Sequence, residues 1–159
     1  MKILVVNGNP KKDGFIAGAL DTISSRLAAG GAQVERLRLA DQDIRDCVGC
    51  MTCLRTGKCI LDDDMGRIIA AMLEADGLVV GSPVRNGLTT ACFKRFYERI
   101  SYPLGFTLLI EDKHTLAVSS VGIMGGKAVN RRLLGLQDLF HTRLSGYLFF
   151  KVGMPRTLD

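Results

Sequence analysis

The chain has 159 residues, of which 47% are apolar and 23% are charged, and it carries a formal net charge of +5. This length predicts one domain over residues 1–159, large enough to bury a hydrophobic core without disulfides. Because the sequence shows no signal peptide, membrane span or long basic stripe, we expect a cytoplasmic protein with neither a membrane nor a nucleic acid as its partner.

Apolar runs and glycine-containing loops alternate along the first half of the chain. Residues 2–7 predict a buried strand that ends at Gly8. A helix should cover about residues 15–29 and end at Gly30, and the alternating residues 33–39 predict a second, more exposed strand. After a cysteine-rich segment, the run Asp62-Asp63-Asp64 predicts the N-cap and acidic first turn of a helix over about residues 65–75.

The second half repeats this alternation. We predict a short apolar strand over residues 77–81, a helix to about residue 101 capped by Thr89 or Thr90, and an irregular connection over 102–112. A strand over 114–121, a helix over about 128–143 and a strand over 147–152 complete the series. Strands that alternate with helices predict a parallel sheet covered on both faces, with ligands at the carboxyl ends of the strands.

Four of the five cysteines lie within thirteen residues, in the pattern C-x2-C-x2-C-x5-C at Cys47, Cys50, Cys53 and Cys59. We predict that residues 46–60 form an insertion in the αβ pattern. Three cysteines at successive intervals of three let one loop wrap three corners of a cubane, and the fourth can close it. The spacing therefore favours a [4Fe–4S] cluster.

Three other interpretations of the cysteines stay open. A structural zinc site is one, although such sites usually have two C-x2-C pairs separated by a longer arm. Disulfides are another, and a reducing cytoplasm disfavours them. A redox-sensing thiol cluster without metal is the third. A ferredoxin domain is excluded, because the last gap is five residues and Ile60 follows Cys59 where the bacterial ferredoxin motif has proline.

Three loops follow the first, third and fourth strands and should meet at one edge of the sheet. The first, residues 8–14, leads into a helix N-terminus that favours an anion, although it is neither a Walker A loop nor a G-x-G-x-x-G loop. The second contains Pro83 and the turn formers Asn86-Gly87, and its amides could bind a planar heterocycle. The third is rich in serine and glycine, which lets its backbone approach a ligand. Each loop could also be an ordinary turn between a strand and a helix.

Three further residues have no motif partner. We expect Cys92 to be a small core side chain and His114 and His141 to lie at the surface. No arrangement of serine, histidine and aspartate predicts hydrolysis.

Taken together, these motifs resemble one known family. The matching pieces are Gly8-x-Pro10-Lys11, the four clustered cysteines, Asp62-Asp63-Asp64-Met65, Glu74-Ala75-Asp76-Gly77, Gly81-Ser82-Pro83-Val84 and Ser119-x-x-Gly122-x-x-Gly125-Gly126. In this order they resemble the iron–sulfur flavoproteins, a branch of the flavodoxin-like, NAD(P)H-dependent FMN reductase superfamily. The resemblance covers roughly residues 1–153.

The resemblance implies a flavodoxin-like three-layer α/β sandwich with a five-stranded parallel sheet in the order 2-1-3-4-5. It implies FMN, with the phosphate in the first loop and the ring in the other two, and a [4Fe–4S] cluster on Cys47, Cys50, Cys53 and Cys59. It also implies a homo-oligomer (a dimer or tetramer), NAD(P)H as a possible co-substrate and a ferredoxin-like electron carrier. The implied FMN-binding residues are Asn9, Pro10, Lys11, Gly14, Phe15, Ile16, Ser82, Pro83, Val84, Arg85, Asn86, Gly87, Ser119, Gly122, Gly125 and Gly126.

The sequence departs from the family pattern in its first loop. Asn9 stands where serine is usual, and Phe15-Ile16 replaces a polar pair, so the phosphate loses hydroxyl and amide donors. Arg85 replaces an aromatic residue, and a guanidinium can either stack on a ring or pair with phosphate. The chain stops soon after the fifth strand, where the family continues into another helix, so we expect a partly bare sheet face or an oligomer partner that covers it.

The sequence favours an FMN-dependent oxidoreductase that passes electrons between a reduced nicotinamide or ferredoxin-like carrier, FMN and a cluster. No side chain is assigned as an acid or base. An NAD(P)H:FMN or quinone reductase without a cluster is the first alternative. The second, from another class, is a non-catalytic regulatory or interaction protein of the same fold that holds zinc or free thiols.

Overall fold

The computed structural model of the protein describes residues 1–123, 126, 129, 136 and 139–153. Five strands form one parallel sheet in the order β2-β1-β3-β4-β5. The predicted strand order and α/β class are therefore confirmed. The strands are β1 (Lys2–Asn7), β2 (Gln33–Arg38), β3 (Gly77–Pro83), β4 (His114–Val121) and β5 (Arg143–Lys151).

Four described helices connect the strands: α1 (Phe15–Ala29), the single turn α2 (Thr52–Thr56), α3 (Met65–Glu74) and α4 (Ala91–Ile100). Leu39–Asp41 forms a 3-10 turn, and Ser101–Gly105 forms a π-helical turn in the stretch predicted to be irregular. The helix predicted over 128–143 lies mostly outside the described residues. In the part of the chain that is described, no helix is long and apolar enough to cross a lipid bilayer.

The sheet separates two apolar layers, because successive side chains of a strand point to opposite faces. In β1, Ile3 and Val5 pack with α1, while Leu4 and Val6 pack on the other face with α3 and α4. Burial on both faces explains why β1 reads as an unbroken apolar run. Full burial of a large aliphatic or aromatic side chain stabilises the fold by about 1.5–3 kcal/mol.

The predicted bounds of the last helix and strand are wrong. The chain is still helical at Leu139 and Phe140, but β5 begins at Arg143, where a helix was predicted, and not at residue 147. The Arg143 amide donates to the Lys113 carbonyl over 2.9 Å, which starts the pairing with β4. Because β5 is an edge strand, its polar residues can face solvent. The start of the strand therefore lacks the apolar pattern by which a strand is predicted.

Candidate flavin and cluster sites

The loops after β1, β3 and β4 meet around a cavity of about 290 Å³ at the carboxyl edge of the sheet. Two backbone bonds tie the third loop to its neighbours: the Val84 amide donates to the Ser120 carbonyl, and the Val152 amide donates to the Val121 carbonyl, each over 2.8 Å. The expected convergence of three loops is therefore observed. Most of the lining residues are ones that the sequence predicted: Asn9, Lys11, Gly14, Phe15, Ile16, Pro83, Val84, Arg85 and Gly122.

The first loop is organised by Asn9, which is buried. Its side-chain oxygen accepts from the Lys11 amide at 3.3 Å, and its side-chain nitrogen donates to the Asp13 carbonyl at 3.4 Å. Asn9 thus shapes the loop with the same groups that were expected to contact phosphate. Pro10 is exposed and is not among the residues that line the cavity.

Helix α1 begins directly after this loop. Gly14 is its N-cap, no side chain caps it, and its first turn contains no acidic residue. The backbone amides of that turn have no partner one turn earlier in the helix, and the helix dipole adds partial positive charge there. This end of α1 can therefore receive a phosphate through the backbone alone.

Phe15 and Ile16 have packing roles in addition to their place at the cavity. Ile16 is buried and belongs to the apolar layer under α1. Phe15 is about half exposed, and its ring lies 4.9 Å from the ring of Phe150 in an edge-to-face contact. These side chains replace polar donors with contacts that fix the start of α1 against β5.

In the second loop, Ser82 is fully buried and accepts from the Thr90 amide at 3.4 Å. Asn86 and Gly87 both have positive φ and form a two-residue turn, closed by hydrogen bonds between Arg85 and Leu88. Such a turn favours the Asn-Gly pair. Asn86 and Gly87 therefore lie at a turn tip outside the lining of the cavity, while exposed Arg85 lies on its rim.

The third loop contributes Ser120, Val121 and Gly122 to the cavity. Ser119 is buried within β4. A Cβ at Gly126 would lie 2.1 Å from the end of the Phe149 ring, so a larger residue there would displace that partly exposed ring. Gly125 lies outside the described residues.

All four clustered cysteines line a second cavity of about 410 Å³ between the cysteine segment, α3 and α4. Met51, Gly49 and Gly57 have positive φ, so the segment turns sharply three times around the single-turn helix α2. These reversals place thiols separated by up to twelve positions on the walls of one cavity.

The thiols influence one another. Burial raises the pKa of Cys53 above its ordinary value, and the negative charges of Cys59 and Cys47 raise it further. The exposed Cys50 has a lowered pKa, chiefly because the Thr52 side chain donates a hydrogen bond to it. Ionising the Cys53 thiol therefore needs a compensating positive charge, which a bound metal group supplies.

The ends of the cysteine segment are held together by the aspartates that were predicted to cap α3. Asp63 accepts from the Arg45 amide at 3.0 Å, and Asp64 accepts from the Asp43 amide at 2.7 Å. Asp64 is the N-cap residue of α3, as predicted, although its side chain makes no capping hydrogen bond. The predicted acidic first turn is wrong, because the first turn of α3 contains no acidic residue. The two carboxylates also join the residues that precede the cysteine segment to those that follow it.

Arg99 is the residue that sequence reasoning missed. It is 4% exposed and forms a two-pronged ion pair with Asp63, whose side chain is fully buried. The available signal was its spacing on α4, because it follows Phe96 by three positions and so lies on the apolar face. A charged residue on that face indicates a buried partner.

The donor set fits an iron–sulfur cluster. Four thiols of a C-x2-C-x2-C-x5-C motif line one cavity, and a buried cation lies beside one of them. Within the described ranges, no three histidine, cysteine or acidic side chains lie close enough to hold a single metal ion. The number and spacing of the four thiols are those that a four-iron cluster requires of its ligands.

Comparison with known proteins identifies the family. The sequence profile described as NADPH-dependent FMN reductase matches residues 1–146. An iron–sulfur flavoprotein of Methanocaldococcus jannaschii is 36% identical over 113 residues, which are 71% of this chain and 58% of that protein. One of Archaeoglobus fulgidus is 32% identical over 114 residues, which are 72% of this chain and 51% of that protein.

The chain thus spans little more than half the length of these two relatives. Among solved structures, RosB with a bound intermediate, 8-demethyl-8-formylriboflavin-5′-phosphate, has a TM-score of 0.76 at 16% identity and covers 98% of this chain and 67% of its own. At that identity, the likeness shows the flavodoxin-like fold alone. The family profile, which covers nearly the whole chain, shows that the protein belongs to the NADPH-dependent FMN reductase family.

Proposed function

We propose that this chain is an FMN-dependent oxidoreductase with a [4Fe–4S] cluster on Cys47, Cys50, Cys53 and Cys59. It would pass electrons between NAD(P)H or a ferredoxin-like carrier, FMN and the cluster. The observation that carries the proposal is the presence of two cavities on one chain, one formed by three loops at the sheet edge and one lined by four thiols. Relatives named iron–sulfur flavoproteins support the same pairing.

In the first cavity, the amides at the start of α1 would bind the FMN phosphate, and Lys11 and Arg85 on the rim would add positive charge. Asn9 would hold the loop in the shape that exposes those amides. In the second cavity, the four thiolates would hold the cluster while Asp63 and Asp64 keep the ends of the segment together. When bound, FMN supplies two-electron chemistry and the cluster one-electron chemistry.

Cofactor content tests this proposal. The protein is purified and reconstituted without oxygen, and flavin, iron and sulfide are assayed on one sample. We expect about one flavin and four irons per chain. Cys53→Ser should lose most of the iron and keep the flavin, whereas Cys92→Ser should keep both. Cys92 is a matched control because its thiol lies 3.4 Å from the Gly8 carbonyl, away from the lining of the cluster cavity.

The other outcomes are equally informative. Flavin without iron in the unmodified protein would contradict the cluster and leave an NAD(P)H:FMN or quinone reductase. Stoichiometric zinc without flavin would favour the non-catalytic alternative. Assembly as a homo-oligomer and location in the cytoplasm stay predictions.

A further inference from the structure

The Arg99 guanidinium makes four contacts from a buried position. Its Nη1 donates to the Arg45 carbonyl at 2.8 Å and to one Asp63 oxygen at 2.5 Å. Its Nη2 donates to the other Asp63 oxygen at 3.0 Å and to the Cys59 sulfur at 3.4 Å. The planar fork is thereby fixed in orientation, with one N–H directed at a thiol of the cluster cavity.

If Arg99 served only to tie Asp63 to the Arg45 carbonyl, its hydrogen bond to the Cys59 sulfur would not be needed. An arginine guanidinium is effectively always protonated, so Arg99 stays cationic inside the protein, paired with the carboxylate of Asp63. A desolvated cation beside a thiolate acts on it more strongly than an exposed one, because water screens it less.

Groups that donate hydrogen bonds to the sulfurs of a cluster alter its reduction potential, and partners behind the ligands also govern how firmly a metal is held. A cationic donor stabilises the more negative, reduced state and so raises the potential. It also orients the sulfur that accepts its hydrogen bond.

We propose that Arg99 is a positioning residue for the cluster. Held by Asp63, it donates to the Cys59 sulfur, raises the reduction potential of the cluster and slows the loss of iron. This inference rests on the proposed function, because it assigns a role to a residue behind one of the four cysteine ligands.

The test compares variants of the reconstituted protein by redox titration followed by electron paramagnetic resonance, and by the rate of iron release to a chelator. The double variant Arg99→Gln with Asp63→Asn removes both charges, so that neither is left buried without a partner. Its cluster should have a lower potential and release iron about 10-fold faster, in keeping with the usual effect of partners behind metal ligands. Arg99→Lys keeps the positive charge but lacks the planar guanidinium. The reduction potential of its cluster should therefore lie between those of the double variant and the unmodified protein.

Arg95→Gln is the matched control. Arg95 lies one turn earlier on α4 and pairs with exposed Asp46 over 2.8 Å. Arg95→Gln removes one positive charge from the same helix, and none of the described contacts of Arg95 is to a cysteine sulfur. The reduction potential and the rate of iron release should therefore stay at the values of the unmodified protein.

Three results would overturn the inference. The double variant and Arg99→Lys could both keep the original potential and iron release, or Arg95→Gln could shift them equally, which would make the effect one of general charge. Failure of the unmodified protein to assemble any cluster would overturn the proposed function and this inference together. If the unmodified protein assembles a cluster whose potential and iron release do not depend on Arg99, only this inference is overturned.

Discussion

At the scale of single residues, the Arg99–Asp63 pair joins the cysteine segment to α4. Its two side chains are almost fully buried, at 2% and 0% exposure. Removing one partner from a buried pair leaves an uncompensated charge and typically costs about 3–5 kcal/mol. The pair is therefore expected to govern stability as well as the site.

The pH dependence of unfolding tests this pair. Burial opposes the ionisation of Asp63, but Arg99 and the amides of Arg45 and Met65 outweigh it, so the pKa of Asp63 is lowered. A lowered folded pKa gives stability that is present above the unfolded value of about 4 and is lost as pH falls through the folded value. Asp63→Asn should thus be destabilised most at neutral pH and approach the unmodified protein in acid.

Urea unfolding of cluster-free protein at several pH values provides the measurement. Asp112→Asn is the control, because Asp112 forms an exposed pair with Arg143 and its loss should change stability far less. Equal effects of the two substitutions at neutral pH would contradict the energetic role assigned to the buried pair.

At the scale of elements, Thr90 connects α4 to the first loop. Its hydroxyl oxygen accepts from the Phe93 amide at 3.3 Å as the helix N-cap, and its hydroxyl donates to the Gly8 carbonyl at 2.6 Å. Gly8 in turn donates from its amide to the Gly81 carbonyl at 2.7 Å. One buried threonine therefore holds a helix end and the start of the first loop.

Thr90→Val should lower the free energy of unfolding by about 1–2 kcal/mol, because a cap and a loop contact are lost together. Thr90→Ser should restore most of this stability, since serine keeps both hydrogen bonds. Denaturant unfolding of the three proteins checks the prediction, and a valine variant as stable as the serine variant would refute it.

The N-terminus of α1 supports a second prediction at this scale. FMN should bind about tenfold more tightly than riboflavin, because only FMN presents a phosphate to the uncapped first turn. Titration of flavin-free protein with each flavin, followed by fluorescence, measures the difference. Raised salt should reduce the difference in affinity between FMN and riboflavin. Equal affinities at low salt would show that the first loop does not bind phosphate.

The elements also show what a sequence can predict. β1, α1 and the cap of α4 were predicted correctly, because two-sided burial and local capping leave short-range patterns. The start of β5 was missed because a polar edge strand lacks such a pattern. The N-cap position at Asp64 was predicted, but the ion pair of Asp63 was not, because its partner lies 36 positions away on α4. For the same reason, Arg99 did not appear in the candidate site.

At the scale of the whole molecule, the parallel sheet determines where the cavity proposed for the flavin forms. Its strand order brings three loops to one edge, whereas the cysteine segment forms its own cavity against α3 and α4. Most of the flavin-cavity lining was predictable, since loops after parallel strands share an edge. The turn tip at Asn86 and the core position of Ile16 depend on backbone geometry and packing, which residue types alone do not reveal.

We propose that one chain holds both a flavin and a cluster, and that both accept electrons. Anaerobic reductive titration of the reconstituted protein, followed by absorbance and electron paramagnetic resonance, tests it most directly. We expect uptake of about three electrons per chain, two at the flavin and one at the cluster, with a paramagnetic signal from the reduced cluster. Uptake of only two electrons without that signal would contradict it and leave a flavin reductase with free thiols.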